Sequence, residues 1–343
     1  MLKYILKRLA LAVLILVGVS FIIYILIRIQ PGGDFVTRKY AAAAAQDSTG
    51  QVSAQIQMIQ AQYGLDVNPF KGFLVWGSNV LKGDWGNSFI YSVPTGQVDI
   101  IEGIEKPIST SSVTAIIKAK CGVSFLIALV ATVFQFLIAI PLGIISAVRQ
   151  YGVIDYTVTI LAMMGISLPS FFFGTLLLKI FAMDLDWFPY AGLLDPNSGL
   201  PTFVDYMYHL VLPISVLVVL SIGGLMRYTR TNMLEVLNAD YIRTARAKGL
   251  SEHTVIYKHA FRNTLIPLAT LLAGILPSLF GGAMITEQIF SIDGIGKAAY
   301  IAVTQGDIPL VMAYNLFLSI LTVLGILLSD IMYVIVDPRV KLA

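Results

Sequence analysis

Six apolar runs, each of about 20 residues or more, limit most strongly what this chain can fold into. They lie near residues 9–29, 121–147, 154–182, 208–226, 264–285 and 309–336. At about 1.5 Å per residue, a helix of that length matches the roughly 30 Å hydrocarbon core of a bilayer. With 57% hydrophobic and 13% charged residues among 343, the chain is much more apolar than a soluble domain of this size. We therefore predict an all-α polytopic membrane protein with six transmembrane helices.

The first apolar run follows Lys3, Lys7 and Arg8, and this basic start is also typical of a secretory signal. Its length of about 19 apolar residues exceeds the apolar part of such signals. The small residues from Ala41 to Ala45, which could serve for cleavage, lie well beyond its end. We therefore predict a retained N-terminal transmembrane helix, residues 1–30.

The distribution of basic residues predicts how the helices are oriented, because Lys and Arg of short loops gather on the cytoplasmic side. With both termini in the cytoplasm, that side holds seven basic residues between Arg227 and Arg262. The two short outer loops contain only Lys297, and the outer segment 184–207 carries four aspartates without Lys or Arg. We predict cytoplasmic N- and C-termini, with residues 337–343 as a cytoplasmic tail.

A polar, basic segment, residues 238–263, lies between two of the apolar runs. Asn238 or Asp240 can cap a first helix, and Gly249 is placed to end it. Ser251 is a candidate N-cap for a second short helix. Such an element on one face of a membrane protein either contacts a partner or remains an ordinary solvated loop.

Within this segment, Arg243-Thr-Ala-Arg-Ala-Lys-Gly249 resembles the EAA loop of ABC importer permeases, in the form seen in the oligopeptide/dipeptide/nickel family. Further segments are similar to that family in order and rough spacing. They are Pro31-Gly-Gly-Asp34, Tyr63-Gly-Leu-Asp66, Gly83–Ser88, Ala139–Gly143 with Asp155, Ser167–Phe171, Ile285–Ser291, Gly294–Lys297 and Asp337-Pro-Arg339. The resemblance, which is to oligopeptide permease B-like inner-membrane components of binding-protein-dependent transport, covers nearly the whole chain. It implies the type I ABC importer permease fold.

The resemblance also implies a domain organisation and a function. A five-helix permease core, residues 120–336, would contain the coupling loop 238–263. The chain would be a transmembrane subunit of an ATP-driven, binding-protein-dependent importer of oligopeptides or dipeptides in the bacterial inner membrane, and would form half of the translocation path. Its implied partners are a second homologous permease, two ABC ATPase subunits, an extracytoplasmic peptide-binding protein and membrane lipids, with no nucleic acid. It would bind no cofactor itself, because ATP and Mg would be used by the partner ATPases.

The ATPase-coupling residues that the resemblance implies all belong to this loop. They are Asp240, Tyr241, Arg243, Ala245, Arg246, Lys248, Gly249, Leu250 and His259. Small Ala245 and Gly249 would allow close approach of an ATPase. Tyr241, Ile242 and Leu250 would fill an apolar groove in it, and the basic residues would find acidic partners at the rim.

Residues 31–119 are too long for a simple connector and predict an extracytoplasmic lobe. The stretch from Ala41 to Gly50 has low complexity, whereas from Gln55 onward aromatic side chains can bury apolar surface. The lobe could lie over a pore, receive a partner, or only pack on the outer ends of the helices. The sequence leaves these roles open.

Two sets of residues inside the apolar runs are candidates for packing and transport. Gly274, Ser278 and Gly282 recur every four residues and predict a small-residue stripe where another helix can approach. Gln135 is a candidate for the substrate path, because an uncharged amide could bond a peptide group without trapping it. The further candidates for the path are Ser167, Pro169 and Met284.

Catalytic or metal-binding residues are not indicated. The three histidines lack the carboxylate or cysteine spacing of a metal site, and Cys121 stands alone, which excludes a disulfide within the chain. Gly294-Ile-Gly-Lys297 lacks the first glycine of a phosphate-binding loop, and Ala298 stands where Ser or Thr would meet Mg²⁺. We predict a permease subunit without an ATPase site of its own.

Three alternatives stay open. The permease could carry nickel or another small solute instead of peptides. An ion-coupled carrier would need intramembrane carboxylates or paired broken repeats, and the sequence offers only Asp330 and no clear internal repeat. An intramembrane hydrolase would need a nucleophile and base at suitable spacing, which the sequence does not suggest. The peptide length and the identity of the partner subunits are likewise undetermined.

Overall fold

The computed structural model describes residues 2–29, 34–47, 49–101 and 104–336, and it is mostly helical, which confirms the predicted class. The helices are α1 (Leu2–Arg28), α2 (Phe35–Ala45), α3 (Gln51–Tyr63), α4 (Pro69–Leu81), α5 (Val113–Val148), α6 (Val153–Ser167), α7 (Ser170–Leu177), α8 (Thr202–Leu237), α9 (Asp240–Ala247), α10 (Arg262–Gly274), α11 (Leu276–Gly281), α12 (Met284–Ile289), α13 (Ile295–Gln305) and α14 (Ile308–Val336). Leu178–Asp184 and Thr254–Phe261 are π-helical. The predicted tail 337–343 and the motif residues 31–33 lie outside the described residues.

Among the described residues, four helices are long and apolar enough to cross a membrane unaided. They are Ala10–Arg28 within α1, Val113–Val148, Thr202–Leu237 and Ile308–Ile331 within α14. The predicted run 154–182 instead forms two helical parts, α6 and then α7 with the π-helical Leu178–Asp184. The chain bends by 101° between the two parts. Leu168 has extended backbone angles at the break because the ring of Pro169 disfavours helical angles in the residue before it.

The predicted run 264–285 is divided into α10, α11 and α12, so the count of six spans stays a prediction. Gly282 has a φ of +75°, and a Cβ there would stand 2.6 Å from the amide nitrogen of Gly296. The predicted packing stripe is therefore wrong, because Gly274 ends α10, Ser278 lies in α11 and Gly282 forms the turn after it. Residues four apart share a face only while one helix continues through all of them.

The chain divides into two compact units by its contacts. The first comprises residues 1–122 and 298–323, and the second comprises residues 123–297 and 324–343. The predicted boundaries of the outer lobe, 31–119, and of the permease core, 120–336, stay predictions, since the contact units divide the chain at other points.

The first unit packs α1, residues of the predicted outer lobe and the start of α14 around a largely aromatic core. This core includes Tyr24, Phe35, Val36, Tyr63, Trp76, Ile308, Met312 and Leu316. Arg28, the residue that ends the first apolar run, donates to the carbonyl oxygens of Gly64 at 2.9 Å and Leu65 at 3.0 Å. Burial raises the pKa of the Tyr63 phenol, and the nearby carboxylates of Asp84 and Asp307 act in the same direction, so Tyr63 stays neutral.

The lobe also contains a β-hairpin that adds strands to the predicted all-α class. Strand β1 (Val93–Ile101) pairs antiparallel with β2 (Ile104–Thr110), from Val93 opposite Thr110 to Ile101 opposite Ile104. The sequence prediction assigned no strands to the lobe. Within the described residues, the chain is thus predominantly helical, with β1 and β2 as its two-stranded sheet.

In the second unit, α6 and α8 approach each other at two glycines. A Cβ on Gly165 would stand 2.7 Å from the carbonyl oxygen of Val219. A Cβ on Gly223 would collide with the carbonyl oxygen of Ala162 and stand 2.8 Å from the side chain of Ile166. Small residues allow this close helix contact, as in membrane helix pairs generally.

A buried carboxylate organises the segment between α11 and α13. Glu287 is 1% exposed and accepts hydrogen bonds from the Ser124 hydroxyl at 2.7 Å, the Ala283 amide at 3.0 Å and the Lys297 amide at 2.8 Å. A Cβ on Gly296 would stand 2.9 Å from the same carboxylate. The segments Ile285–Ser291 and Gly294–Lys297, which carry part of the family resemblance, therefore fold around one side chain.

Candidate functional site

The basic hairpin, residues 239–261, consists of α9, a turn at Gly249 and the π-helical segment Thr254–Phe261. Gly249 has a φ of +75°, in the left-handed region that favours glycine, and its amide donates to the Arg246 carbonyl at 2.9 Å. The Ser251 hydroxyl accepts from the Thr254 amide at 3.4 Å. The predicted helix end at Gly249 and helix start at Ser251 are both confirmed.

The predicted N-cap of α9 by Asn238 or Asp240 is wrong. Helix α8 extends to Leu237, so Asn238 closes that helix, and its side-chain Nδ2 donates to the Leu234 carbonyl at 2.9 Å. Ala239 takes the N-cap position of α9, and Asp240 is the first helical residue. The Asp240 carboxylate lies 3.4 Å from the guanidinium of Arg243 on the exposed surface.

The inner face of the hairpin is buried in the second unit's own core. Ile242 and Val255 are fully buried, and Ala245 is 6% exposed. They pack with Ile144, Ala147, Met233 and Ala260, which brings together α5, α8 and the hairpin. An isolated helix as short as α9 would be unstable in water, so this packing holds it in place.

This burial corrects two roles that the sequence suggested. Ile242 was expected to fill a groove in an ATPase, and Ala245 was expected to let one approach closely. Both side chains instead face the chain's own core, so neither is available to a partner. A helix that packs on its own protein must turn its apolar stripe inward.

The outer face of the hairpin presents the remaining coupling candidates to solvent. Asp240, Tyr241, Arg243, Arg246, Lys248, Gly249 and Leu250 are all exposed, whereas His259 is half-buried. Arg246 pairs with Glu252 at 2.9 Å, across the turn at Gly249. A Cβ on Gly249 would meet no described atom within 4 Å. The face therefore offers the aromatic ring of Tyr241 and the apolar side chain of Leu250 among mostly basic residues.

The four candidates for the substrate path belong to separate elements. Gln135 of α5 donates to the Ser221 carbonyl of α8 at 3.2 Å, and Ser167 donates to the Met163 carbonyl of its own helix at 2.9 Å. Pro169 lies at the 101° bend, and Met284 begins α12. The polar groups of the first two thus already have partners within the chain, and the path role of all four stays a prediction.

The acidic segment 184–207, which the sequence predicts to lie on the outer side, lines a cavity of about 800 Å³ together with the start of α8. Trp187, Tyr190 and Tyr208 line it together with Asp205 and His209. Asp205 accepts from the Asp195 amide at 2.7 Å, and the two side chains of Asp205 and His209 are almost fully buried. The spacing of Asp205 and His209 by four residues on one helix was the available signal for this pair.

The sequence also gave no indication of a buried ion pair between Asp155 of α6 and Arg230 of α8. Their separation in the chain hides the contact until the helices pack. Within the described residues, no three His, Cys, Asp or Glu side chains converge as a metal site would require.

Residues 139–342 match the family model for the binding-protein-dependent transport system inner membrane component. The match contains the basic hairpin and the segment that folds around Glu287. This chain belongs to that family. Members of the family are the membrane permease subunits of ABC importers, so this permease is an integral membrane protein. The family is not itself catalytic.

Relatives of the permease align over almost its whole length. It is 36% identical to the oligopeptide transport system permease protein AppB of Bacillus subtilis (strain 168), over 99% of this chain and 100% of the relative. It is 33% identical to the dipeptide transport system permease protein DppB of the same organism, over 100% and 99%. The first 138 residues of the permease, which the family model does not match, are therefore aligned in these relatives as well.

A solved structure with a similar fold is a chain of the methionine ABC transporter MetNI in an inward-facing conformation. The TM-score is 0.52 at 18% identity, over 65% of this chain and 97% of the other. At this identity the likeness concerns the fold alone. It supports an ABC importer permease fold and leaves about a third of the permease outside the shared part.

Proposed function

We propose that this permease is half of the translocation path of an ATP-driven importer of oligopeptides or dipeptides. The full-length similarity to an oligopeptide and a dipeptide permease favours peptides over nickel or another small solute. A second homologous permease would complete the path, and an extracytoplasmic binding protein would deliver the peptide. The N- and C-termini would lie in the cytoplasm, because basic residues concentrate on that side.

The observation that carries this proposal is the two-sided construction of the basic hairpin. Its inner face is fixed to α5 and α8, whereas its outer face exposes Tyr241, Arg243 and Leu250. A partner that moves the outer face therefore pulls on the membrane helices. Two ABC ATPase subunits, which bind ATP and Mg, would supply that movement, because the chain itself has no phosphate-binding loop sequence.

The outer face also has the composition of a protein interface. Tyrosine and arginine are enriched where proteins bind each other, and exposed basic groups select acidic surfaces. Arg243 is 72% exposed in its side chain and is paired only weakly with Asp240 at 3.4 Å. Such a group can exchange its intrachain partner for an acidic residue of an ATPase at little cost.

Reconstitution of the four-subunit complex with its binding protein in proteoliposomes tests the function. We expect uptake of labelled oligopeptides or dipeptides that requires ATP and persists when the membrane is made permeable to ions. Nickel ions and amino acids serve as competitor controls and are expected not to reduce peptide uptake. Uptake that continues without ATP and stops when ion gradients collapse would refute the proposal in favour of a secondary carrier.

A further inference from the structure

Arg230 of α8 forms a bidentate salt bridge with Asp155 of α6, made of two hydrogen bonds. Its Nε donates to Asp155 Oδ1 at 2.8 Å and its Nη2 donates to Oδ2 at 2.8 Å. The Asp155 side chain is 4% exposed and that of Arg230 is 23% exposed. A bidentate contact of this kind fixes the relative orientation of the two side chains as well as the distance between them.

The Asp155 carboxylate also accepts hydrogen bonds from the end of α5 and from the turn that follows it. The Ser146 hydroxyl donates to Asp155 Oδ1 and accepts from Arg230 Nε at 3.1 Å. The backbone amide of Tyr151, in the turn between α5 and α6, donates to Asp155 Oδ2 at 3.0 Å. Tyr151 has a φ of +61°, which is unfavourable for a residue with a side chain, so the turn depends on such contacts.

These residues adjoin the core on which the basic hairpin sits. Ala147 follows Ser146 directly, and Met233 lies three residues after Arg230 on α8. Both belong to the cluster that buries Ile242 and Ala245 of the hairpin. The ion pair and the hairpin are therefore attached to the same turns of α5 and α8.

We infer that Ser146, Asp155 and Arg230 form a clamp that makes α5, α6 and α8 move together when the basic hairpin is displaced. Asp155 and Arg230 are positioning residues in this inference, which rests on the proposed function. The hairpin core contacts α5 and α8, and the clamp adds α6. Helix α6 leads directly into the bend at Pro169, so the clamp connects the hairpin to the broken membrane segment.

A double variant separates this role from simple stability. Asp155→Asn alone leaves the Arg230 charge without its carboxylate, which is expected to weaken the complex. Asp155→Asn with Arg230→Gln removes both charges and keeps groups that can hydrogen-bond. We expect the double variant to assemble and to hydrolyse ATP at the basal rate, but to import about tenfold less peptide per ATP hydrolysed than the wild type, as a loss of about 1.4 kcal/mol in coupling would give.

The matched control removes another ion pair of the same unit. Lys179→Gln with Asp184→Asn neutralises a pair that is largely exposed, and we expect the peptide imported per ATP to stay at the wild-type value. If the clamp's double variant fails to assemble, Arg230→Lys serves in its place, because lysine keeps the positive charge but cannot form the bidentate contact. We expect Arg230→Lys to lower the ratio of peptide to ATP several-fold with basal ATP hydrolysis retained.

The possible outcomes assign failure to different proposals. A wild-type ratio of peptide to ATP in the double variant, or in Arg230→Lys when only that variant assembles, overturns the clamp and leaves the proposed function intact. A wild-type complex that imports no peptide with ATP overturns the proposed function itself. Both variants could also lose most of their assembly, while the complex that does assemble imports as much peptide per ATP as the wild type. That result would show that the ion pair serves stability alone, and it also overturns the clamp.

Discussion

Gly249→Arg is expected to lower peptide uptake by about tenfold or more while the amount of permease in the membrane stays unchanged. The φ of +75° at Gly249 costs a residue with a side chain about 1–2 kcal/mol. The long charged side chain would also project from the outer face, where no described atom lies within 4 Å of the new Cβ. The folded core is thus spared, and the surface proposed to meet an ATPase is blocked. Uptake in reconstituted vesicles and quantification of the inserted protein check both parts.

Gly50→Arg is the matched control for this variant. Gly50 has a φ of +73° and an equally open Cβ position among the described residues, but it belongs to the predicted outer lobe and not to the basic hairpin. We expect its uptake to remain near the wild-type value. Wild-type uptake by Gly249→Arg would refute the coupling role. Deletion of 240–249 is also expected to abolish uptake, but it removes the buried Ile242 and Ala245, so the point variant is the cleaner test.

Gly223→Ala is expected to lower the free energy of unfolding by about 1–3 kcal/mol, because it overpacks the contact between α6 and α8. Its Cβ would collide with the backbone carbonyl of Ala162, which cannot rotate away as a side chain can. The neighbouring residue provides the control, since a Cβ on Gly224 would meet no described atom within 4 Å. Gly224→Ala is expected to keep or slightly raise stability, because alanine favours a helix over glycine.

Thermal unfolding of the two purified variants in the same detergent makes this comparison. A lower melting temperature for Gly223→Ala than for Gly224→Ala is the expected result. Equal melting temperatures would show that α6 and α8 do not approach as closely as the structure places them. The pairing of adjacent glycines removes differences in helix propensity between the variants.

Features that depend on neighbouring residues could be predicted from the sequence. The long apolar runs predicted the four helices that, among the described residues, are long and apolar enough to cross a membrane. Gly249 and Ser251 predicted the end of the hairpin's first helix and the start of its second part. The bend before Pro169 follows from a steric rule that involves only adjacent residues. The capping and proline signals act within about one helical turn, and each apolar run is continuous in the sequence, so these features can be recognised without knowledge of the fold.

Features that depend on distant contacts could not be predicted in this way. The turn at Gly282 is fixed by Gly296 and by Glu287, whose partner Ser124 is 163 residues away in the chain. Likewise, the burial of Ile242 depends on α5 and α8, so the sequence alone could not show that it faces inward. The contact of Asp155 with Arg230 spans 75 residues, so no local pattern in the sequence indicates it.

Cysteine crosslinking from the basic hairpin tests most directly whether an ATPase supplies the work of transport. In a background with Cys121→Ala, single cysteines would replace Tyr241 and Lys248 on the outer face, with Ile242→Cys as the buried control. We predict crosslinks from positions 241 and 248 to an ATPase subunit, and a much weaker one from position 242. The absence of crosslinks from both outer positions, or their labelling by a reagent confined to the outside of the cell, would contradict the account.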